Sequence, residues 1–408
     1  MNAKLRRRLA VLGLPLVLAI VAACGSSGTA SAPADSNAAS GLTKSTIVIG
    51  NIGQYSGSTF ADLYVQTLHS LQAWVQWTND HGGLNGHPVK LVSHDDQNNP
   101  AKSLQYVKEM VEQDHIVALL SPLAVGTDPA WANYVEQKKV PVIGGGSLDA
   151  NWETNPYMLS TNVTSENYDV SQMYAAKSIG KKVGVFICAE FSACKTGISK
   201  FEGIAKQTGL AWAGAQSVAE TATDYISQCI AMKQTGADVV LPETSATVMS
   251  RVIKACAEQG YTPRAVVPAS NINASVIGDA EFDGTLGVNF SPLWFVDSDF
   301  TKDWKQQYTK MFPHETLYGD STFGWQAGVV FGTALKDAPD TVTSETVLQG
   351  LYAQPAGTTF GGWTPPLTFK PGKSTQTQPC MWYLQIKGGK LVAPQGNKPV
   401  CAPAGDAG

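Results

Sequence analysis

Charge is scarce in this chain. Only 15% of its 408 residues are charged, where soluble domains usually carry about 25%. The 29 basic and 33 acidic residues leave a net charge of −4, which gives no basic field for a nucleic-acid backbone. Histidine is also sparse, with six residues at positions 69, 81, 87, 94, 115 and 314. None is spaced with cysteine as a zinc site requires, and no Cys-x-x-Cys occurs. Glycine and proline stay well short of collagen or low-complexity levels, and 43% hydrophobic content excludes disorder over most of the length. After the first segment no run of about 18 apolar residues exists, so nothing else in the sequence reads as a membrane span.

Catalytic signatures are missing as well. Ser192-x-x-Lys195 and Lys195-Thr196-Gly197 share one lysine, whereas penicillin-binding enzymes place those motifs on separate elements. Gly372-Lys373-Ser374 has Leu367 where a P-loop needs glycine. Gly145-Gly146-Ser147-Leu148-Asp149 lacks the closing glycine of a nucleophile elbow. The sequence therefore leads to the expectation of no catalytic residue, no metal and no cofactor.

What is present begins with a targeting segment. Lys4, Arg6, Arg7 and Arg8 form a basic n-region, and an apolar run from Leu9 to Val21 follows. That run is short of the roughly 20 residues a spanning helix needs, and small residues succeed it, as in a secretory signal. Val21-Ala22-Ala23-Cys24 resembles a bacterial lipobox, which implies that Cys24 is lipidated and becomes the mature N-terminus; the other reading is an ordinary signal with a chance cysteine. Residues 25–43 are almost all Ser, Ala, Gly, Thr and Pro, a flexible tether. Removing the signal leaves 25 basic against 33 acidic residues, net −8. The expected location is extracytoplasmic, with a lipid on Cys24 as the sole membrane contact.

Six cysteines remain of the seven, at 188, 194, 229, 256, 380 and 401. An even number in an exported chain reads as disulfides. Fifteen connectivities exist for six cysteines. Short loops close most readily, which favours Cys188–Cys194, Cys229–Cys256 and Cys380–Cys401.

Hydrophobic periodicity gives an alternating pattern. Ile47 to Ile49 reads as a strand, and apolar residues at three- and four-residue spacing from Phe60 to Thr78 mark a helix that stops at Gly82-Gly83. Strand 89–92 follows, then a helix opened by Asn99-Pro100, strand 116–120, helix 129–138 and strand 140–143. A second run of the same kind has strands at 183–187, 211–218, 238–241, 265–268 and 285–290, with helices at 168–179, 195–208, 224–235 and 246–259. Helical stretches 299–311 and 321–337 come next, and the tail carries short strands at Thr368-Phe369 and Met381 to Ile386. The expected fold is α/β, two doubly wound Rossmann-like lobes built on parallel sheets.

Asn79-Asp80-His81-Gly82-Gly83-Leu84-Asn85-Gly86-His87-Pro88-Val89, followed by Asp95-Asp96-Gln97-Asn98-Asn99-Pro100, resembles the branched-chain amino-acid-binding (Leu/Ile/Val-binding) protein family, the type I periplasmic binding proteins that serve ABC transporters. Tyr55-Ser56-Gly57, Lys139-Val140-Pro141-Val142-Ile143, Thr359-Phe360-Gly361-Gly362-Trp363 and Pro366-Leu367-Thr368-Phe369 fit the same family in the expected order, over about residues 44–393. The resemblance implies two lobes joined by a hinge of three crossings, near Thr161–Glu166, Asn289–Trp294 and Trp363–Phe369. Lobe one is expected to combine 44–163 with 293–365, lobe two 164–292 with 366–395, and 396–408 is a C-terminal tail. A ligand would bind between them at the carboxyl ends of the strands and be trapped by hinge closure. Independently of the family, Asp95 and Asp96 read as caps at a helix start rather than as a cation site.

In family members that bind amino acids, a serine and a threonine of lobe one hold the carboxylate and an acidic residue of lobe two holds the ammonium. Those positions fall here at Val125, within Leu123-Ala124-Val125-Gly126-Thr127, near Leu148, within Gly145-Gly146-Ser147-Leu148, and around Ala269-Ser270-Asn271. None matches unless a shift brings in Thr127 or Ser147, which argues against a plain α-amino acid. Aromatic residues in loops or near crossings suit an apolar cleft with a few polar groups. The candidate ligand contacts are Gln54, Tyr55, Ser56, Phe60, Ala124, Val125, Gly126, Thr127, Gly146, Ser147, Leu148, Phe191, Ser245, Ser270, Asn271, Trp294 and Trp325. A Cys188–Cys194 bridge would either stiffen the loop bearing Phe191 for binding or simply stabilise the fold. The expected function is capture of a small amino-acid-like, amide or aromatic molecule and its delivery to an ABC transporter permease by a monomer. The alternatives are a sensor without transport and, more remotely, an enzyme on the same scaffold.

Overall fold

The structure, a computed structural model, describes residues 42–58, 60–190 and 192–403, with the side chains of 192–196 outside that description. The signal segment, Cys24, most of the tether and Phe191 therefore lie outside the described residues.

A 5-stranded parallel sheet is built from β1 (Ile47–Gly53), β2 (Val89–Asp95), β3 (Ala118–Leu120), β4 (Val142–Ile143) and β5 (Met158–Leu159), in the order β2-β1-β3-β4-β5. Ile47 pairs with Val89 and Ile49 with Ala118, so strand order reverses beside β1. An 8-stranded sheet contains β6 (Lys182–Cys188), β7 (Ala211–Val218), β8 (Val239–Glu243), β9 (Arg264–Pro268), β10 (Leu286–Asn289), β11 (Cys380–Lys387), β12 (Lys390–Val392) and β13 (Pro399–Cys401). Its order is β12-β11-β10-β9-β8-β6-β7, with β13 on β11 and a second reversal beside β6. Reversals of this kind open crevices at the carboxyl ends of strands, where open α/β sheets bind ligands.

Local chemistry explains the main helices. Asn99 caps helix Pro100–Glu112 by accepting from the amides of Ala101 (3.0 Å) and Lys102 (3.2 Å), with Pro100 at the first position. Helix Ala61–Asp80 buries Leu63, Thr67, Ser70, Leu71, Trp74 and Thr78 on one face. Helix Phe323–Ala334 packs against that face at close range: a Cβ on Gly328 would lie 2.2 Å from a Trp74 ring atom. Trp304 Nε1 donates to Ser70 Oγ at 3.0 Å, and Gln66 Nε2 to the Thr316 carbonyl at 2.7 Å. The chain thus leaves the first sheet after β5, returns to it after β10, and crosses again to supply β11.

Several expectations need correction. The tail adds antiparallel strands to a sheet expected to be parallel, because β11 arrives from the other lobe and not through a helical crossover beside its neighbour. Thr368-Phe369 is not a strand; Thr368 makes only an isolated bridge to Gln376. Helix Ser344–Tyr352 escaped the pattern, although Thr343 and Thr346 form a capping box there. β5 spans two residues, too few to show a period.

Two bridges join the expected cysteines. Cys229–Cys256 ties helix Ile226–Thr235 to helix Ala246–Glu258 with Cα atoms 4.9 Å apart, and Cys380–Cys401 links β11 to β13. Cys188 is disulfide-bonded, and the side chain of Cys194 lies outside the described residues. Among the described residues no helix is long and apolar enough to cross a membrane.

Candidate functional site

The loops at the carboxyl ends of strands from both sheets converge on a cavity of about 250 Å³. From the first sheet come Leu123 and Val125 after β3 and Gly145 to Leu148 after β4; helix Ala61–Asp80 and the turn before it add Phe60, Leu63 and Tyr64. From the second come Pro268 and Ser270 at the end of β9, Phe290 after β10, and Tyr168 on helix Ser165–Ile179. Asn162 lies in the first crossing, and Asp320 and Phe323 at the start of the returning helix.

Glycine is required where the β4 loop folds over. Gly145 has φ of 105°, and a Cβ there would sit 2.1 Å from the Pro122 carbonyl oxygen. That approach lets the Gly146 amide donate to Pro122 at 2.9 Å and turns Ser147 and Leu148 toward the cavity. The adjacent β3 loop is braced by Asp149, which accepts from the Gly126 amide at 2.7 Å, and by Asp128, which accepts from Asn151 (2.9 Å) and Trp152 (2.7 Å). Burial, with Asp149 close by, pushes the Asp128 carboxyl up to about 8.

The walls are mostly aromatic. Tyr168 stacks on Phe290 with centroids 5.1 Å apart, Phe290 meets Phe323 edge-on at 5.9 Å, and Phe60 stacks near Tyr64 at 5.8 Å. Polar groups are few. Asn162, 1% exposed, accepts from Ser147 Oγ at 2.6 Å, while its Nδ2 has no partner. Asp320 is 8% exposed, and no hydrogen bond or ion pair reaches its carboxyl among the described residues. Burial pushes that carboxyl up to about 7. Tyr64 is raised by burial, then by the charges of Asp320 and Asp149. On the other side, Glu243 ends β8 with Oε1 unpartnered; burial raises it to about 8, Asp169 adding and Gln172 opposing. Tyr168 is likewise raised by burial and by Glu243 and Asp169.

Of the residues the sequence nominated, Phe60, Val125, Gly146, Ser147, Leu148 and Ser270 line the cavity. Several of the others hold its frame. Gln54 Nε2 donates to the Val125 carbonyl at 2.6 Å, and Tyr55 OH to Asn51 at 2.5 Å. Ser56 Oγ donates to Asp95 at 2.5 Å, and Thr127 Oγ1 to Asp96 at 2.6 Å, so both aspartates serve as loop braces. Ala124 accepts from the Thr127 and Asp128 amides, and Gly126 is the brace to Asp149. Ser245 caps helix Ala246–Glu258, and Asn271 donates to Thr244. Trp294 packs edge-on against Phe295, and Trp325 lies between Trp77 and Trp363, in the core and away from the cavity. Phe191 is outside the described residues. Sequence reasoning missed Tyr64, which reads as part of its helix's apolar stripe, and Tyr168, Phe290, Phe323 and Asn162, which sit at helix, strand and crossing ends. No local pattern marks Asp320.

Comparison with known proteins places this geometry. The periplasmic binding protein family profile matches residues 46–390. A Leu/Ile/Val-binding protein homolog 7 of Brucella suis is 23% identical over 370 residues, covering 85% of this chain and 90% of its own. The structure of a branched-chain amino acid ABC transporter periplasmic ligand-binding protein from Burkholderia xenovorans superposes with a TM-score of 0.71 at 17% identity, over 88% of this chain and 95% of that one. A fatty acid ABC transporter substrate-binding protein from Thermomonospora curvata gives 0.70 at 18% identity, over 90% and 95%. With a family match spanning nearly the whole described chain and a cavity set between two α/β sheets, this protein belongs to the periplasmic binding protein family.

Proposed function

We propose that the chain is an extracytoplasmic receptor, held at the membrane by lipid on Cys24, that captures a small organic molecule between its lobes by hinge closure and delivers it to the permease of an ABC transporter. It binds as a monomer and catalyses no reaction. The observation that carries this reading is the cavity itself, whose walls come from both sheets and meet at strand ends. Lobe one comprises 44–163 with 293–365, and lobe two 164–292 with 366–395; the contacts of Trp304 and Gln66 support the first grouping, and the pairing of β11 with β10 the second. A cavity of about 250 Å³ suits a small body, amino-acid-like, amide or aromatic. The aromatic walls suit an apolar body, as do the relatives named for branched-chain amino acids and for a fatty acid.

The test adds a panel of small amino acids, amides and aromatic acids to the folded chain. At least one member should raise Tm and shrink the radius of gyration in solution scattering. A rise in Tm without compaction would refute hinge closure. In cells, Cys24→Ala should move the protein from the membrane to the soluble fraction; unchanged fractionation removes the lipid anchor from the reading.

A further inference from the structure

The relatives are named for ligands that carry a carboxylate, and the cavity wall here is poorly suited to one. Among the described residues its lining includes no Lys, Arg or His. It does include a carboxyl more than nine-tenths buried, that of Asp320, with no partner among the described residues. A second buried carboxyl, that of Glu243 at the end of β8, acts electrostatically on the lining residue Tyr168 and leaves Oε1 unpartnered, though it does not itself line the cavity. Five aromatic rings, Phe60, Tyr64, Tyr168, Phe290 and Phe323, surround the same space. Ring faces attract cations, most strongly where water is excluded. Asn162, also in the lining, has a buried Nδ2 amino group whose two N–H donors lack a partner, and an acceptor on the ligand would satisfy it.

We infer that the ligand is a small organic cation: an ammonium group seated against Asp320 and the rings, an apolar body among the aromatic walls, and one neutral acceptor, a carbonyl or hydroxyl, facing Asn162. This rests on the receptor reading above and narrows its substrate class. A buried carboxyl without a cation is an incomplete arrangement, because its charged form lacks compensation until a cation arrives. An ammonium supplies both the opposite charge and the hydrogen-bond donors that an acceptor-only carboxylate needs. Above the raised Asp320 value a carboxylate ligand would meet a like charge, with no basic residue among the described lining to offset it.

The experiment is titration calorimetry on the purified chain with two matched series. L-Leucinamide, L-leucine and 4-methylpentanoate share one body and are cation, zwitterion and anion; L-phenylalaninamide, L-phenylalanine and 3-phenylpropanoate repeat the set with a ring. The amide of at least one series should bind, and at least about tenfold more tightly than its acid, the range of a charge-assisted hydrogen bond. Asp320→Asn, which mimics the neutral carboxyl and keeps the fold, should abolish that preference; Phe290→Leu should weaken the amide while retaining the order. Preference for the anion or the zwitterion, or an Asp320→Asn protein that keeps the amide preference, overturns the cation inference and leaves the receptor reading in place. No heat with any of the six overturns the cation inference, while the receptor reading stands or falls on the wider panel above.

Discussion

Asp320 makes a strong prediction about the ligand-free protein. Its carboxyl is buried without a partner, and burial raises it from 3.8 to about 7. The folded chain therefore holds a proton that the unfolded chain has released between those two values. The sign follows from linkage: stability is greatest below the unfolded value and falls as pH rises toward 7. One retained proton gives a slope of about 1.4 kcal/mol per pH unit, and roughly three units give about 4 kcal/mol as a ceiling. Against a typical total of about 5–15 kcal/mol this is large. Asparagine carries no charge at any pH and matches the neutral acid in shape, so Asp320→Asn should equal the parent near pH 4 and exceed its stability by up to about 4 kcal/mol at pH 8. Urea unfolding at half-unit pH steps on both proteins reads the difference. Asp128 and Glu243 are also raised, to about 8 each, but both are present in parent and variant and cancel. Parallel profiles, or an Asp320→Asn protein less stable at pH 8, would refute the placement of an uncompensated carboxyl in the cavity.

Two glycines should respond in opposite directions. Gly328→Ala drives a methyl into Trp74 and should cost about 1–3 kcal/mol in urea unfolding. Gly203→Ala, inside helix Ser192–Thr208 with nothing within 4 Å of the new Cβ, should add about 0.5–1 kcal/mol; equal effects would contradict the packing described. Replacing Cys229 and Cys256 together by alanine opens a loop of sequence separation 27 and should lower stability by about 3 kcal/mol relative to the disulfide-intact parent in urea unfolding; an unchanged midpoint would mean the bridge does not constrain the unfolded chain.

Much of the scaffold was legible because its signals are local. The stripe of Leu71 and Trp74, the Asn99-Pro100 cap and the buried runs of β1 and β8 each obey a period or a cap rule within a few residues. The nearest-neighbour cysteine pairing worked for Cys229–Cys256 because two successive crossovers set those helices side by side. The antiparallel edge formed by β11, β12 and β13 was illegible, since direction depends on which lobe a strand comes from.

The site divides along the same line. Val125, Gly146, Ser147 and Leu148 were found because a family position points at them, and they do line the cavity. Thr127 sits on the β3 loop too, and Gln54 and Ser56 on the loop after β1, but each spends its polar atoms on a backbone carbonyl or an aspartate, a partnership visible only in three dimensions. Sequence alone determined the alternating α/β order, because short-range spacing suffices for it. Only the tertiary structure decided the character of the cleft. Tyr64, Asn162, Tyr168, Phe290 and Asp320 are separated by up to 256 positions in the chain, and burial around a shared cavity, which no local pattern encodes, gives them a common role.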